Sequence, residues 1–377
     1  MTASRAQRAV GFRAGHAAAP TWQRAVDLAL ERLGAVPAGG NLGFVYVADR
    51  FAGDCAALLA TLRARTRVAD WIGSVGIGVL GTGTEYLDEP AVAIMIGSLP
   101  AGEFCVFSGR ARAPALGART ASGADAAHFA IVHGDPGTPD MPDLVQDMSA
   151  KLSSGYLVGG LSSGRERAFQ LANEVLEGGL SGVVLSSRIE LTTRLTQGCT
   201  PISGPHTVTA GARNLLVTLD GRPALDVLRA AVATTLGGDL RRAARFLHVG
   251  LPVAGSDTGD YLVRNLVGID PQHKLVAIGA EVQPGMPILF CRRDGTSARV
   301  DLRRMLDAIA ADLDGPPQGG LYFSCLGRGA SMFGSGSAEL GMIHERLGTF
   351  PLAGFFCNGE ISHDRLYGYT GVLVLFK

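Results

Sequence analysis

The sequence predicts a mixed α/β (α+β) fold, in which repeated strand–helix–strand–strand units form mixed sheets stacked in a helix–sheet–sheet–helix order. Three observations lead there. Apolar runs rich in β formers alternate with helical stretches; that order recurs three times; and the last two strands of each unit follow one another without a helix between them.

The first unit opens with NLGFVYVAD (41–49), an apolar strand-like run, and continues with helical CAALLATLRART (55–66). WIGSVGIGV, from Trp71, is its second strand, and AVAIMIGSL, after a polar turn ending in Pro90, its third. The second unit reads AHFAIVHGD, PDLVQDMSAKL, YLVGGLSS and GGLSGVVLSS; the third reads GGLYFSCLG, SAELGMIHERLG, LAGFFCNGE and GYTGVLVLF. A strand–helix–strand crossover places its helix on one face. A hairpin is then expected to extend the sheet without adding a helix to the other face. That bare apolar face is expected to pack on another sheet of the same kind.

A chain of 377 residues suggests two domains at about 150 residues each. ALGARTASGADAA (115–127) is a composition break, but it falls between units one and two. LRAAVATTLGGDLRRAARF (228–246), with Gly237-Gly238 at its centre, is the better boundary, giving expected domains 1–230 and 231–377. Beyond it, FLHVGLPV, YLVRNLVGID, KLVAIGAEV and PILFCRRDG read as short strands, with turn chemistry at PGMP (284–287) and RDGT (293–296).

Formal net charge is zero, and Lys151, Lys274 and Lys377 are the only lysines among 34 basic residues. With the arginines scattered, no basic block marks a nucleic-acid or anionic-membrane partner. The six cysteines show no CxxC spacing, and no apolar run reaches signal-peptide or membrane-spanning length. A cytoplasmic protein with reduced thiols is expected.

Most catalytic signatures fail on context. GIGVLG (76–81) matches GxGxxG, but a polar turn, a proline and a strand follow where a dinucleotide site needs a helix. GLSSG (160–164) matches GxSxG; RERAFQLANEVLE could supply the helix that a nucleophile elbow at Ser162 requires, with His206 or His248 closing a triad. The eight histidines show no metal-ligand spacing. A haem held by one histidine would leave no spacing at all.

SCLGRG (324–329) and CNGEIS (357–362) end the first and second strands of the third unit. If those strands are parallel neighbours, both loops leave at one carboxyl edge, where open α/β sheets place ligands. Gly327, Gly329 and Gly359 permit close backbone approach beside Asn358, and Phe333 offers an apolar wall. Arg328 can clamp a carboxylate or phosphate, and Glu360 can hold an ammonium; alternatively the two pair only with each other. Cys325 and Cys357 read as small buried residues rather than nucleophiles, with His344 and His363 the local candidates to activate a thiol.

Taken in order, several segments carry a resemblance. They are AGHA before WQRAVDLALERLG, GSVGIGVLGTGTEYLDEPAVAIMIGSLP with Glu85, GYLVGGLSSG, GGLSGVVLS, and TQGCTPISGP (196–205). YLVRNLVGID, SCLGRG with Phe333-Gly334, and FFCNGEI complete the series. Over nearly its whole length the chain resembles the FIST family. The resemblance implies paired FIST N and FIST C domains in a sensory module for small ligands, amino-acid-like compounds being proposed for the family and haem sensing for some members. Family members are often fused to kinase, cyclase or chemotaxis output domains. This chain ends at GVLVLFK, so any signal is expected to pass to a separate partner protein.

The expectation is therefore a non-catalytic sensor of a small polar, amino-acid-like metabolite, bound between Arg328 and Glu360 with Cys325 alongside. Gln197, Gly198 and Cys199 are expected to contribute from the N-terminal domain. No metal and no cofactor are expected. The alternatives are a hydrolase or thiol enzyme using Ser162 or Cys325, and a haem-binding gas sensor.

Overall fold

Every residue of Leu42–Ala48 is buried, and the run lacks polar alternation because both faces of the strand are covered. Phe44 and Tyr46 point into one core, while Val45 and Val47 point into another that is shared with helices. The same logic organises the computed structural model, which describes residues 11–109, 127–237, 240–253 and 261–377. The composition break at 115–127 lies outside these residues except for Ala127, as does Gly238. The chain forms two compact units. One comprises the chain up to Thr196 with Arg303–Leu366 and Thr370–Lys377, the other Gln197–Leu302 with Tyr367–Tyr369.

The first unit begins with β1 (Gly11–Ala18), α1 (Trp22–Leu33), β2 (Leu42–Ala48), α2 (Cys55–Thr66) and β3 (Asp70–Gly76). A hairpin of β4 (Gly78–Gly81) and β5 (Thr84–Leu87) precedes β6 (Ala91–Ser98). A second copy follows as β7 (Phe104–Gly109), β8 (Phe129–Gly134), α3 (Met141–Ser149) and β9 (Tyr156–Leu161). Its hairpin is β10 (Gln170–Ala172) with β11 (Val175–Leu176), before β12 (Leu180–Leu185). β13 (Leu191–Gln197) opens the third copy.

The second unit then runs through β14 (Cys199–Pro201), β15 (His206–Ala212), β16 (Leu215–Leu219) and β17 (Arg222–Pro223). α4 (Ala224–Leu236) and α5 (Leu240–Ala243) lead to β18 (Leu247–Pro252), β19 (Tyr261–Asp270), β20 (Leu275–Ile278) and β21 (Pro287–Arg293). β21 pairs with both β15 and β18, so these strands close into an antiparallel ring with α4 packed on its apolar core. RDGT does not end a strand in a hairpin turn; Asp294 caps α6 (Gly295–Asp312) by accepting from the Ser297 amide at 3.0 Å.

The third copy resumes with β22 (Gly319–Cys325), α7 (Ala330–Phe333), α8 (Ala338–Leu347) and β23 (Leu352–Cys357). It ends with the hairpin β24 (Glu360–Ser362) and β25 (Arg365–Tyr367) and then β26 (Thr370–Phe376).

The pairings reveal how alike the copies are. β2, β8 and β22 each run parallel to the next strand of their copy and antiparallel to its last, giving β6-β2-β3, β12-β8-β9 and β26-β22-β23. The expected hairpin extension is corrected here: the last strand returns beside the first strand, not the second. The second strand's outer edge is already taken by a hairpin from another copy. β4 of copy one joins β23, β10 of copy two joins β3, and β24 of copy three joins β9, so the three sheets exchange hairpins in a closed cycle. The glycines of GIGVLG serve this exchange, bending the chain from β3 into β4 on another sheet; a Cβ at Gly78 would lie 2.3 Å from the Tyr86 carbonyl oxygen.

Two further features repeat. Gly73, Gly159 and Gly354 face Val45, Val132 and Tyr322 in register, and a Cβ on them would lie 1.7, 1.8 and 1.9 Å from those residues' carbonyl oxygens. One residue further along, Tyr46, His133 and Phe323 meet in the shared core, with ring centroids 5.5, 6.2 and 6.0 Å apart pairwise. The inner faces of all three sheets build that core. Helices α1 and α2 cover the outer face of the first sheet, and α3 that of the second. The mixed α/β fold is thus as expected, with a third sheet added to the helix–sheet–sheet–helix section.

Candidate functional site

β22 and β23 are parallel neighbours with Cys325 opposite Cys357, and the Leu326 amide donates to the Cys357 carbonyl at 3.0 Å. The loops 326–329 and 358–359 therefore leave from one sheet edge. Cys325 continues the inward parity of Phe323, whereas Tyr322 and Ser324 face the other way, toward α8. The Tyr322 hydroxyl donates to Glu339 Oε1 at 2.6 Å and the Ser324 hydroxyl to Glu339 Oε2 at 3.2 Å.

Arg328 crosses this edge and is 0% exposed. Its Nε donates to Glu339 Oε1 at 2.7 Å, and Nη2 lies 2.7 Å from the same oxygen but out of line for a second hydrogen bond. Nη1 has no partner. The guanidinium stands 5.0 Å from the centroid of the buried Phe333 ring. Gly329, at φ 58°, turns its amide to Glu339 Oε2 at 3.3 Å, and a Cβ there would press on the Phe356 ring at 3.0 Å. Burial acts to weaken Arg328's hold on its proton, but the Glu339 carboxylate outweighs it and tightens that hold.

Glu339 lies in the first turn of α8, and the amides of Glu339 and Leu340 donate to Glu85 Oε1 at 3.0 and 3.1 Å. The start of α8, which would otherwise suit an anion, is thus occupied by a carboxyl of the chain itself, brought in on the exchanged strand β5. Burial, and then the charge of Glu339, push Glu85 up to about 7.

Glu360, the first residue of β24, is fully buried. Its Oε2 accepts from the Thr370 amide at 3.1 Å and the Thr370 hydroxyl at 2.6 Å, while Oε1 takes no hydrogen bond of ordinary geometry. Burial pushes this carboxyl up to about 8, against the pull of Thr370, the Arg328 charge and the Cys325 thiol. Arg328 and Glu360 are therefore electrostatic neighbours, yet they do not pair with each other. Arg328's ion partner is Glu339, which sequence reasoning passed over. The signal for it was present: Tyr322 and Ser324 are polar groups on one face of an otherwise apolar strand and demand a buried partner.

The remaining expected residues fall in two places. Asn358 is exposed and donates its amide to the Leu161 carbonyl at 3.0 Å, Gly359 adopts φ 127°, and the Gly327 carbonyl accepts from Ser331 at 3.0 Å. Gln197, Gly198 and Cys199 belong to the second unit. There the Gln197 side chain donates to the Tyr261 carbonyl at 2.7 Å, Gly198 to the Tyr369 carbonyl at 3.0 Å, and the Cys199 carbonyl accepts from the Tyr261 hydroxyl at 2.7 Å.

The alternatives lose ground on geometry. RERAFQLANEVLE forms β10 and β11, turning at Asn173 (φ 62°), so Ser162 sits on no strand-to-helix elbow. Ser162 is buried between Ser74 Oγ at 2.7 Å and the Phe169 carbonyl at 3.1 Å. His133 does not fit a haem ligand. It is fully buried, its Nε2 is 3.2 Å from the Tyr46 hydroxyl, and the Tyr46, Phe323 and Phe355 rings at 5.5, 6.0 and 5.9 Å leave no face for a macrocycle. Among the described residues, no three His, Cys, Asp or Glu side chains are placed to hold a metal ion, and no helix is long and apolar enough to cross a membrane.

Comparison with known proteins finds two family models along the chain, meeting inside the second compact unit. Residues 41–222 match the model of the FIST N domain and residues 224–363 that of the FIST C domain. The chain is similar to uncharacterized protein Rv0628c of Mycobacterium tuberculosis, 35% identical over 334 residues, covering 85% of this chain and 86% of the relative. It is also similar to uncharacterized protein Mb0898c of Mycobacterium bovis, 33% identical over 319 residues, covering 81% and 82% of the two chains.

Proposed function

The chain belongs to the FIST family, and on that premise we propose that it is a non-catalytic sensor that binds a small amino-acid-like metabolite at the β22–β23 rim. FIST domains are associated with sensory, small-ligand-binding roles in signal transduction. One observation carries the finer reading. Two fully buried groups, the guanidinium of Arg328 and the carboxyl of Glu360, leave polar atoms unsatisfied at one sheet edge. A buried polar atom without a partner costs roughly 1–3 kcal/mol, so a molecule offering a carboxylate to Nη1 and an ammonium to Glu360 Oε1 relieves both.

Glu339 does not defeat this assignment. It neutralises Arg328 in the empty state and so lets the guanidinium stay buried, while Nη1 remains available. The ligand's ammonium in turn favours the ionised form of Glu360, so affinity for it rises with pH toward 8. A separate partner protein reads the occupied state, and neither nucleic acid nor membrane takes part.

The test is a thermal-shift and calorimetric panel of amino acids, acetate and methylamine. Compounds with both charges are expected to bind, and single-charge fragments to bind at least tenfold more weakly. Arg328→Ala is a poor probe, because it strands Glu339. Arg328→Lys keeps a cation for Glu339 but removes the guanidinium fork, and is expected to weaken binding at least tenfold. Unchanged affinity in both Arg328→Lys and Glu360→Gln would remove the rim from the reading.

A further inference from the structure

We propose that Cys325 and Cys357 form a dithiol–disulfide couple, a redox modification site at the rim that governs its occupancy. The two residues are register partners at the last positions of adjacent parallel strands, and neither is in a disulfide. Register partners project from the same face of a sheet. Neighbouring strands run about 4.8 Å apart, inside the Cα separations of about 4.4–6.8 Å that a disulfide spans. The sulfurs are near enough to act on one another electrostatically.

Access to the pair is one-sided. Cys325 is partly exposed, whereas Cys357 is wholly buried against Gly160, where a Cβ would come 2.4 Å from its sulfur. Cys325 also lies beside the two charges of the rim, the Glu360 carboxyl and the Arg328 guanidinium. The carboxyl can receive the thiol proton in the ionised form it takes up near pH 8, and the guanidinium favours the thiolate. Neither of the other copies has such a pair: the corresponding step of the first holds Ala48 with Gly76, and the β8–β9 pairing of the second ends one step earlier, at Gly134 with Leu161.

A hydroperoxide is the oxidant. Cys325, its proton passed to Glu360, attacks the terminal peroxide oxygen; an S–O bond forms, the O–O bond breaks, and the leaving oxygen takes up a proton as alcohol or water. Cys357 then attacks the sulfenic sulfur. The S–S bond forms, the S–O bond breaks, and hydroxide departs as water with the Cys357 proton. The thiols lose two electrons and the peroxide gains two. The linkage draws the Cys325 sulfur away from Glu360, whose carboxyl loses a stabilising neighbour and holds an ammonium less well. This consequence, though not the linkage itself, rests on reading the rim as a binding site.

The experiment treats the reduced full chain with hydrogen peroxide, blocks it with N-ethylmaleimide and maps unreduced peptides. The expected product is a single linked pair joining positions 325 and 357, abolished by dithiothreitol. Cys357→Ser is expected to accumulate Cys325 sulfenic acid instead, trapped by dimedone. Dimedone-labelled or over-oxidised Cys325 in the unsubstituted chain without a linked pair, or linkage through Cys199 and Cys291, overturns the proposal. In a second arm, an equimolar mixture of the twenty L-amino acids is titrated by thermal shift. The linked form is expected to need at least tenfold more of the mixture than the reduced form for equal stabilisation; equal response overturns the regulatory claim. A reduced chain that the mixture does not stabilise sinks the binding reading alone and leaves the linkage to its own arm.

Discussion

The first and third copies place charge at the same point of the fold, just past the carboxyl end of the strand that follows the copy's own edge strand, and treat it in opposite ways. In the first copy Asp49 pairs with Arg165, which also reaches Asp88, and Arg50 lies near Asp88; Arg165, Asp88 and Arg50 are 46%, 57% and 56% exposed. In the third copy Arg328 and Glu339 are 0% and 2% exposed, with Glu85 and Glu360 close by. Apart from Asp49, whose side chain is 8% exposed, the first cluster is solvated, and salt and water can replace its exposed partners. The second has no water to fall back on, so an unfilled hydrogen-bonding position there has to be met by structure or by ligand. Identical topology, with different cover over the loop, separates a surface ion ladder from a buried charge cluster.

The largest effects should come from what the copies share. Gly73→Ala and Gly354→Ala each drive a Cβ into a strand carbonyl at 1.7 and 1.9 Å, and both are expected to prevent folding, with little protein recovered in the soluble fraction. Soluble, native-like Gly354→Ala beside an unfolded Gly73→Ala would mean that the copies are not equivalent. Next come the substitutions that separate them. Glu339→Gln leaves a buried guanidinium without its counter-charge and is expected to destabilise by roughly 3–5 kcal/mol, read as a lower urea midpoint at unchanged slope. Arg165→Ala should leave that midpoint where it was.

The smallest effect is a pH dependence at the β22–β23 rim, carried by Glu85, which the first copy's β5 brings in, and by Glu360. Glu85 at about 7 and Glu360 at about 8 lie above the ordinary glutamate value of 4.5, so the folded chain keeps their protons longer than the unfolded chain does. Their contribution is fully present below pH 4.5 and is lost as pH rises through 7 and 8. The urea midpoint is therefore expected to fall between pH 6.5 and 8.5 in the unsubstituted chain, on the order of a few kcal/mol in stability; below that range His16, His133, His248 and His344, all held below 6.5 by burial, pull the other way. The double variant Glu85→Gln/Glu360→Gln should flatten that slope. Asp88 is shifted down by its hydrogen bond from Arg165, so the exposed Asp88–Arg165 cluster acts only in acid and contributes nothing in this window.

The three copies were legible because strands buried on both faces leave unbroken apolar runs such as LGFVYVA and TGVLVLF. Their helices were legible as helical stretches between those runs. The exchange of hairpins was not, because QLA, EIS and GVLG are too short to encode a partner strand, and RERAFQLANEVLE carries as much helical as strand character. At the rim, glycines around Arg328 and before Glu360 marked the two loops. Glu339 was hidden, since a glutamate in the first turn of an amphipathic helix reads as a solvated cap until the Tyr322 and Ser324 hydroxyls are seen to point at it.

The central claim is that Arg328 and Glu360 receive the two charges of one small molecule. A crystal structure of the chain with an amino acid selected by the thermal-shift panel tests this most directly. The account predicts the ligand carboxylate within hydrogen-bonding distance, about 2.7–3.2 Å, of Arg328 Nη1, and its ammonium equally near Glu360 Oε1. A ligand seated elsewhere, with these two atoms still facing only the protein, would contradict it.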